Sequence, residues 1–258
     1  MNPRIQITTV LVPLIFSICL GVVSAAEVDS TLDVAKIIKK VDQLYRSNSS
    51  YAEMEMEIIT PRWSRTLAMK AWTSGMDKTF VRITAPKKER GLTTLRLENE
   101  MWNYLPKTNK VMKIPPSMMM SSWMGSDFTN DDLVKEFSLF EDYAYEPAEV
   151  ADAHSDVYYV NCIPREDLPV VWGNIIVACR KSDYLPVWFK YYDEKGELMR
   201  VWRYSDIREF DGRKIPATME IIPQHKTGHK TIMRYLDAKF DPPLKKDIFS
   251  LRNLRAGK

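Results

Sequence analysis

The sequence predicts a mainly β protein of the α+β class, built on one large antiparallel sheet that meanders and curls. Three observations lead there. Short runs with apolar and polar residues in alternation recur along most of the chain. Turn signals such as Glu194-Lys195-Gly196, Asp211-Gly212 and Lys226-Thr227-Gly228 separate many of them at hairpin spacing. Only one strong helical stripe precedes them. The 258 residues suit one β-rich domain, and 45% hydrophobic with 28% charged residues is an ordinary globular balance. A net charge of +3, with both signs mixed along the chain, gives no basis for a nucleic-acid partner.

The first 26 residues differ from the rest. Arg4 is the only charge before Glu27, Val10 to Val23 is almost wholly apolar, and Ser24-Ala25-Ala26 offers small residues for cleavage. This is the layout of a secretory signal peptide cleaved near Ala26. That organisation is residues 1–26 as signal peptide and 27–258 as one exported domain. A permanent anchor is the competing reading, but the apolar core falls short of the roughly 20 residues a spanning helix needs. Lipid modification of Cys19 is disfavoured by the bulky Ile18 before it.

The elements follow in order. Asp29 and Ser30 are capping types, and Val34, Ile37, Ile38, Val41, Leu44 and Tyr45 form the stripe of a half-buried helix. Met54, Met56 and Ile58 then alternate with Glu53, Glu55 and Glu57, a strand with one wet face. Strands are expected at Leu67 to Ala71, Thr79 to Ile83, Leu92 to Leu97, Met101 to Leu105 and Lys110 to Ile114. The second half repeats the pattern at Val157 to Cys162, Asn174 to Arg180, Pro186 to Tyr192, Leu198 to Tyr204, Ile207 to Phe210, Ala217 to Ile222 and Lys230 to Leu236. Together these make about a dozen strands. A second helix is expected over Asn130 to Phe140, capped by Thr129, and a short turn over Asp247 to Leu251.

Two cysteines remain after cleavage, Cys162 and Cys179, each in a β-type run. An exported protein invites a disulfide between them across a hairpin; two buried free thiols are the other reading.

Of the 14 methionines, Met101, Met112, Met118, Met119, Met120 and Met124 fall within 24 positions, beside Trp102, Tyr104, Ile114, Trp123 and Phe128. Pro115 to Phe128 lacks helix or strand periodicity, so it reads as an apolar loop, an unusual thing at a surface. Either it plugs the hollow of the sheet or it contacts a greasy ligand, a role that suits flexible, polarisable methionine. The candidate lipid-binding residues are therefore Trp102, Tyr104, Met112, Ile114, Met118, Met119, Met120, Trp123, Met124 and Phe128.

Enzymatic signals are weak. His154 sits in a polar loop, and His225 and His229 flank a hairpin tip with no obvious third metal ligand. Nine glycines form no phosphate-cradling loop, and Ser126-Asp127 lacks an accompanying histidine in the sequence. The expectation is a protein that is not an enzyme, with no cofactor and no metal.

The segments Met101-Trp102-Asn103-Tyr104-Leu105-Pro106 and Met124-Gly125-Ser126-Asp127-Phe128-Thr129-Asn130-Asp131-Asp132-Leu133 resemble the outer-membrane lipoprotein-sorting family, the LolA/LolB-like periplasmic carriers. Tyr184-Leu185-Pro186, Asp211-Gly212 with Ile215-Pro216, Lys226 to Thr231 and Asp247 to Arg252 agree in order and spacing over roughly Tyr51 to Leu254. The resemblance implies an unclosed barrel of about eleven antiparallel strands, lidded by helices over an apolar cavity. It implies lipid or lipoprotein acyl chains as cargo moved between inner and outer membrane, transient membrane contact, and an inner-membrane transporter of the resistance-nodulation type as partner. The interior arginine that helps gate the lid of the best-studied carriers is matched to no residue here. The alternative is an envelope sensor, or a pump's accessory subunit, of the same architecture.

Overall fold

A computed structural model describes residues 33–134, 138–166, 168 and 170–255. The expected signal peptide, and Asp29 and Ser30 as caps, lie outside them. No helix among the described residues is long and apolar enough to cross a membrane.

One sheet dominates. Helix α1 (Val34–Asp42) precedes strands β1 (Ser49–Ile59), β2 (Ser64–Ser74), β3 (Lys78–Ala85), β4 (Thr93–Leu97), β5 (Glu100–Leu105) and β6 (Lys110–Lys113). A short helix α2 (Asn130–Val134) lies between these and β7 (Tyr143–Pro147), β8 (Val157–Pro164), β9 (Asn174–Arg180), β10 (Pro186–Tyr192), β11 (Leu198–Phe210), β12 (Arg213–Pro223) and β13 (Lys230–Phe240). Helix α3 (Leu251–Arg255) follows. Thirteen strands run in the order β6-β5-β4-β3-β2-β1-β13-β12-β11-β10-β9-β8-β7. Every pairing is antiparallel, and β6 and β7 remain as open edges. Two meanders thus meet at a central seam, where Met56 of β1 lies opposite Met233 of β13.

The alternation written in the sequence becomes the burial pattern. Met56, Ile58, Leu67, Met69, Ala71, Val81 and Ile83 point to one face and form the main core with Met101, Ile221 and Met233. Glu53, Glu55 and Glu57 point to the other, where Lys70 and Arg234 pair with them. That outer face is also covered locally. Leu254 of α3 packs on Phe80, Leu95 and Tyr104, and Arg82 donates to the Asn253 carbonyl at 2.8 Å.

Helix α1 is capped by Asp33, whose side chain accepts from the Lys36 amide. Its apolar stripe buries Ile37, Ile38 and Val41, as expected. Four expectations change. The helix expected to reach Phe140 is helical only over Asn130–Val134; residues 135–137 lie outside the described set, and Ser138 is not helical. The runs Leu198 to Tyr204 and Ile207 to Phe210 are one strand, with Asp206 absorbing a positive φ of 56°. Strand β7, with the sequence Tyr-Ala-Tyr-Glu-Pro, was not anticipated; its terminal proline is tolerated because β7 is an edge. Finally, of the two readings open for the cysteines, the structure has the buried free thiols and not the hairpin disulfide. Cys162 lies opposite Ile175 and Cys179 opposite Tyr158, four positions apart in register, which is roughly 13 Å along a strand. Both thiols are free and fully buried, and burial pushes each up to about 12.

Candidate functional site

The segment that leaves β6 at Ile114 packs over the inner face of the sheet as far as Leu133. It begins as an apolar plug. Ile114, Trp123 and Phe128 are buried in the main core, and Met119 and Met124 pack against it. Trp123 is only 2% exposed, and its indole N–H donates to the Thr94 hydroxyl at 3.1 Å, which in turn donates to Asn103 Oδ1 at 2.7 Å.

The plug has its own local order. The Trp123 amide donates to the Phe128 carbonyl at 2.7 Å, and the Asp127 amide donates to the Thr231 hydroxyl at 2.9 Å. Gly125 takes a φ of +74°, the left-handed region that glycine enters without strain. A Cβ there would stand 3.3 Å from the Arg65 guanidinium, which donates to the Met124 carbonyl. Absence of periodicity therefore marked an ordered insertion.

The ten sequence-predicted residues separate into three groups. Ile114, Met119, Trp123, Met124 and Phe128 come together under the sheet. Trp102 and Tyr104 face the opposite side and pack in the cluster around Leu254, because alternation along β5 sends Met101 inward and its neighbour outward. Met112, Met118 and Met120 are exposed, the last two at 45% and 50%.

Beyond the plug, part of the inner face is open. A cavity of about 960 Å³ lies among the end of α1, strands β9 to β11, α2 and the segment Val170–Trp172. Its aromatic wall is set by register: Phe189 lies opposite Trp202 and Tyr191 opposite Arg200, so all four share one face. Tyr191 stacks obliquely on Trp202 at 5.3 Å, Trp172 meets Tyr191 edge-on at 5.2 Å, and Phe189 meets Tyr204 at 5.0 Å. Trp172 reaches in because Gly173 sits hard against the β10–β11 turn, where a Cβ would come within 2.4 Å of the Asp193 carbonyl oxygen.

Arg200 stands at the centre, 7% exposed. Its guanidinium carbon lies 4.3 Å from the Trp172 ring centre, 4.5 Å from Tyr191 and 5.1 Å from Trp202. Its two terminal nitrogens donate to Asp132 at 2.9 and 2.7 Å, a bidentate pair. Asp132 also accepts from the Thr129 amide at 2.8 Å, while its own amide donates to the Thr129 hydroxyl at 3.1 Å, a reciprocal cap at the start of α2. Burial works to raise the Asp132 carboxyl, but the Arg200 charge and hydrogen bonds, with the Thr129 cap, outweigh it and hold it below the usual carboxylate range. The same turn is tied to the plug: Asn130 donates to the Met118 carbonyl at 2.9 Å and the Asp131 amide to that of Met119 at 2.8 Å. One buried ion pair thus latches plug and α2 to β11.

Sequence reasoning missed Arg200, which sits in a Leu-Met-Arg-Val-Trp-Arg run as the inward residue of an alternating strand. An inward charge at the Tyr191–Trp202 level was its only signal. A second cavity of about 350 Å³ near the β1–β2 and β12–β13 turns gathers Ser126, Asp127 and His229. The Ser126 hydroxyl donates to the Trp123 carbonyl at 2.7 Å and accepts from the Phe128 amide, which makes it a turn residue. Among the described residues no group of three His, Cys, Asp or Glu is arranged to hold a metal.

Comparison with known proteins agrees with this architecture. A family model described as uncharacterized protein-like matches residues 75–256. No curated protein matches the chain. A DUF1329 family protein from Desulfovibrio piger is similar in structure, with a TM-score of 0.76 at 22% identity over 85% of this chain and 97% of that one. A domain named for outer membrane lipoprotein sorting, from Vibrio parahaemolyticus, has a TM-score of 0.72 at 22% identity, covering 86% and 98%. A LolA superfamily protein from Nitrosomonas europaea has a TM-score of 0.70 at 19% identity, covering 86% and 100%. The chain belongs to the uncharacterized protein-like family matched over residues 75–256, and it shares its fold with the solved LolA superfamily protein and the solved outer membrane lipoprotein-sorting domain.

Proposed function

We propose that the protein is a periplasmic, non-enzymatic carrier that holds the acyl chains of lipids or lipoproteins in its concave cavity and moves them between inner and outer membrane. One observation carries this reading: an aromatic-walled cavity of about 960 Å³ on the inner face of an unclosed sheet. That volume lies at the upper end of the roughly 300–1,000 Å³ of ligand cavities. An acyl chain of about 16 carbons gains on the order of 10 kcal/mol from burial, at roughly 0.8 kcal/mol per CH₂, before the costs of binding. That is enough to carry it through water.

In this reading the exported domain spans residues 27–258 after removal of the signal peptide. Ile114, Met119, Trp123, Met124 and Phe128 form the plug that yields when cargo enters. Exposed Met112, Met118 and Met120 meet acyl chains or the membrane during handover. Arg200 takes the place of the interior arginine that sequence alone left unmatched, and its pair with Asp132 latches the closed state. A resistance-nodulation-type transporter is the candidate partner.

The test is mass spectrometry of lipids extracted from protein purified out of the periplasm under native conditions. Near-stoichiometric acyl-chain molecules are expected. Protein that purifies free of them, and takes up no fluorescent fatty-acyl probe when offered it, would favour the sensor reading and end the carrier one.

A further inference from the structure

The turns of the sheet are unevenly charged. Every pairing is antiparallel and the order runs β6-β5-β4-β3-β2-β1-β13-β12, so the β5–β6, β3–β4, β1–β2 and β12–β13 turns leave the same end of the sheet, side by side. Contacts join them. Arg65 at the head of β2 pairs with Glu89 of the β3–β4 turn at 3.6 Å. A Cβ on Gly228 of the β12–β13 turn would stand 3.0 Å from Pro61 Cγ of the β1–β2 turn.

Cations crowd this end. Arg62, Lys87, Lys88, Arg90 and Lys107 lie in the turns, and Lys110 opens β6. All six are exposed, and none makes an ion pair among the described residues. Exposed Lys226 in the fourth turn stands 4.0 Å from the Asp127 carboxylate. Glu89, the one acid within the four turns, is turned in against Arg65. The opposite end of these strands is different: the β2–β3, β4–β5 and β11–β12 turns carry Asp77, Glu98 and Asp211 and no basic residue. The basic stretch also stops at the next hairpin, because the β10–β11 turn holds Asp193, Glu194 and Glu197 against Lys195. A net charge of only +3 therefore conceals a segregated field.

One apolar ring accompanies the cations. Trp63, in the β1–β2 turn, is 46% exposed. Indole rings favour the zone between lipid headgroups and hydrocarbon, and clustered Lys and Arg favour a surface of anionic phosphates. Seven cations spread over four turns, with one indole among them, suit an extended plane of negative charge. This is also the end where the plug is fastened. Arg65 donates to the Met124 carbonyl, and the Thr231 hydroxyl near the head of β13 accepts from the Asp127 amide.

We propose that these four turns form a docking face for a bilayer surface rich in anionic phospholipid, with Trp63 seated at the headgroup level. The purpose of the contact rests on the carrier reading; the contact brings the fastened end of the plug to the membrane.

The experiment is cosedimentation of the full protein with vesicles of dioleoylphosphatidylcholine, alone or with dioleoylphosphatidylglycerol, at low and at high salt. Binding is expected only with the anionic lipid, and salt should abolish it. Lys87→Gln with Lys88→Gln should weaken it about tenfold or more, as should Lys107→Gln with Lys110→Gln in a separate turn. Trp63→Ala should weaken it severalfold. Lys39→Gln with Lys40→Gln, exposed on α1, makes the same change in net charge and should leave binding unaltered. An equal loss in that α1 pair, or equal binding to phosphatidylcholine alone, overturns the docking face. So does a wild-type protein that sediments with neither vesicle. None of those results touches the carrier reading, which stands or falls on the copurified lipid.

Discussion

The two wings of the sheet show the same kind of inner face and treat it in opposite ways. In the wing of β1 to β6, the face made by Met69, Ala71, Val81, Ile83 and Met101 is filled by Trp123 and Phe128 from the segment after β6. In the other wing, Ile221 and Met233 next to the seam join the same filled core, but the face made by Ile175, Phe189, Tyr191, Arg200 and Trp202 on β9 to β11 borders an open volume. Trp202 is the party wall: Phe128 meets it edge-on at 5.8 Å from the plugged side, and Arg200 stacks on it from the hollow side. The difference lies in what opposes each face. Methionine and aliphatic residues on the first wing are closed by a loop of matching softness, whereas the second presents rigid rings around a fixed charge. Packing gives one wing stability and leaves the other room for a guest.

If that division holds, substitutions should sort by wing. The largest loss is expected for Asp132→Ala, which strands the Arg200 charge in a buried site and should cost about 3–5 kcal/mol of unfolding free energy in urea titration. A cost under about 1 kcal/mol would mean that the latch is not a latch. Trp123→Ala empties the plugged wing and should cost a comparable ~3–5 kcal/mol, with only a secondary effect on probe binding. Gly173→Ala forces a Cβ against the Asp193 backbone and should cost about 1–3 kcal/mol while displacing Trp172 from the cavity, read as reduced probe uptake.

Acid should act through the latch as well. Because the folded Asp132 carboxyl is depressed, its contribution is complete above the unfolded carboxylate range, near 4, and is lost as pH falls through the lower folded value. Melting temperature should drop on acidification below about pH 4, and Asp132→Asn should flatten that part of the profile. The smallest effect is expected for Met118→Ser with Met120→Ser, within about 0.5 kcal/mol on stability because both are exposed. Any loss of lipid transfer to vesicles by that pair would then report on handover alone.

How much of this was readable in the residues depended on which neighbours decide a residue's place. Alternation set Met56, Leu67 and Ile83 inward and the Glu53–Glu57 row outward, because period two is a local property. Thr129 as the cap of α2 was equally legible, since the Thr129–Asp132 spacing carries the signal. The site was only partly legible. Apolarity within an aperiodic stretch located the plug, but whether Met118 or Met119 turns inward is settled by Asn130 and Asp131 clasping their carbonyls. Trp102 and Tyr104 were grouped with the plug by closeness in sequence, whereas the pleat places them on the outer face with Leu254. The partnership of Arg200 with Asp132 spans 68 residues and three aromatic rings, and nothing local announces it.

The seam between β1 and β13 has a bearing on how the molecule comes together. Because the earliest described strand completes its ladder only against the latest, each meander keeps a raw, hydrogen-bonding flank until both exist. A chain synthesised amino-end first would therefore hold β1 in waiting, vulnerable to sticking or cleavage, until Lys230–Phe240 arrives to zip the wings together. The cavity, whose floor is laid by the later wing, comes into being only near the end of that process.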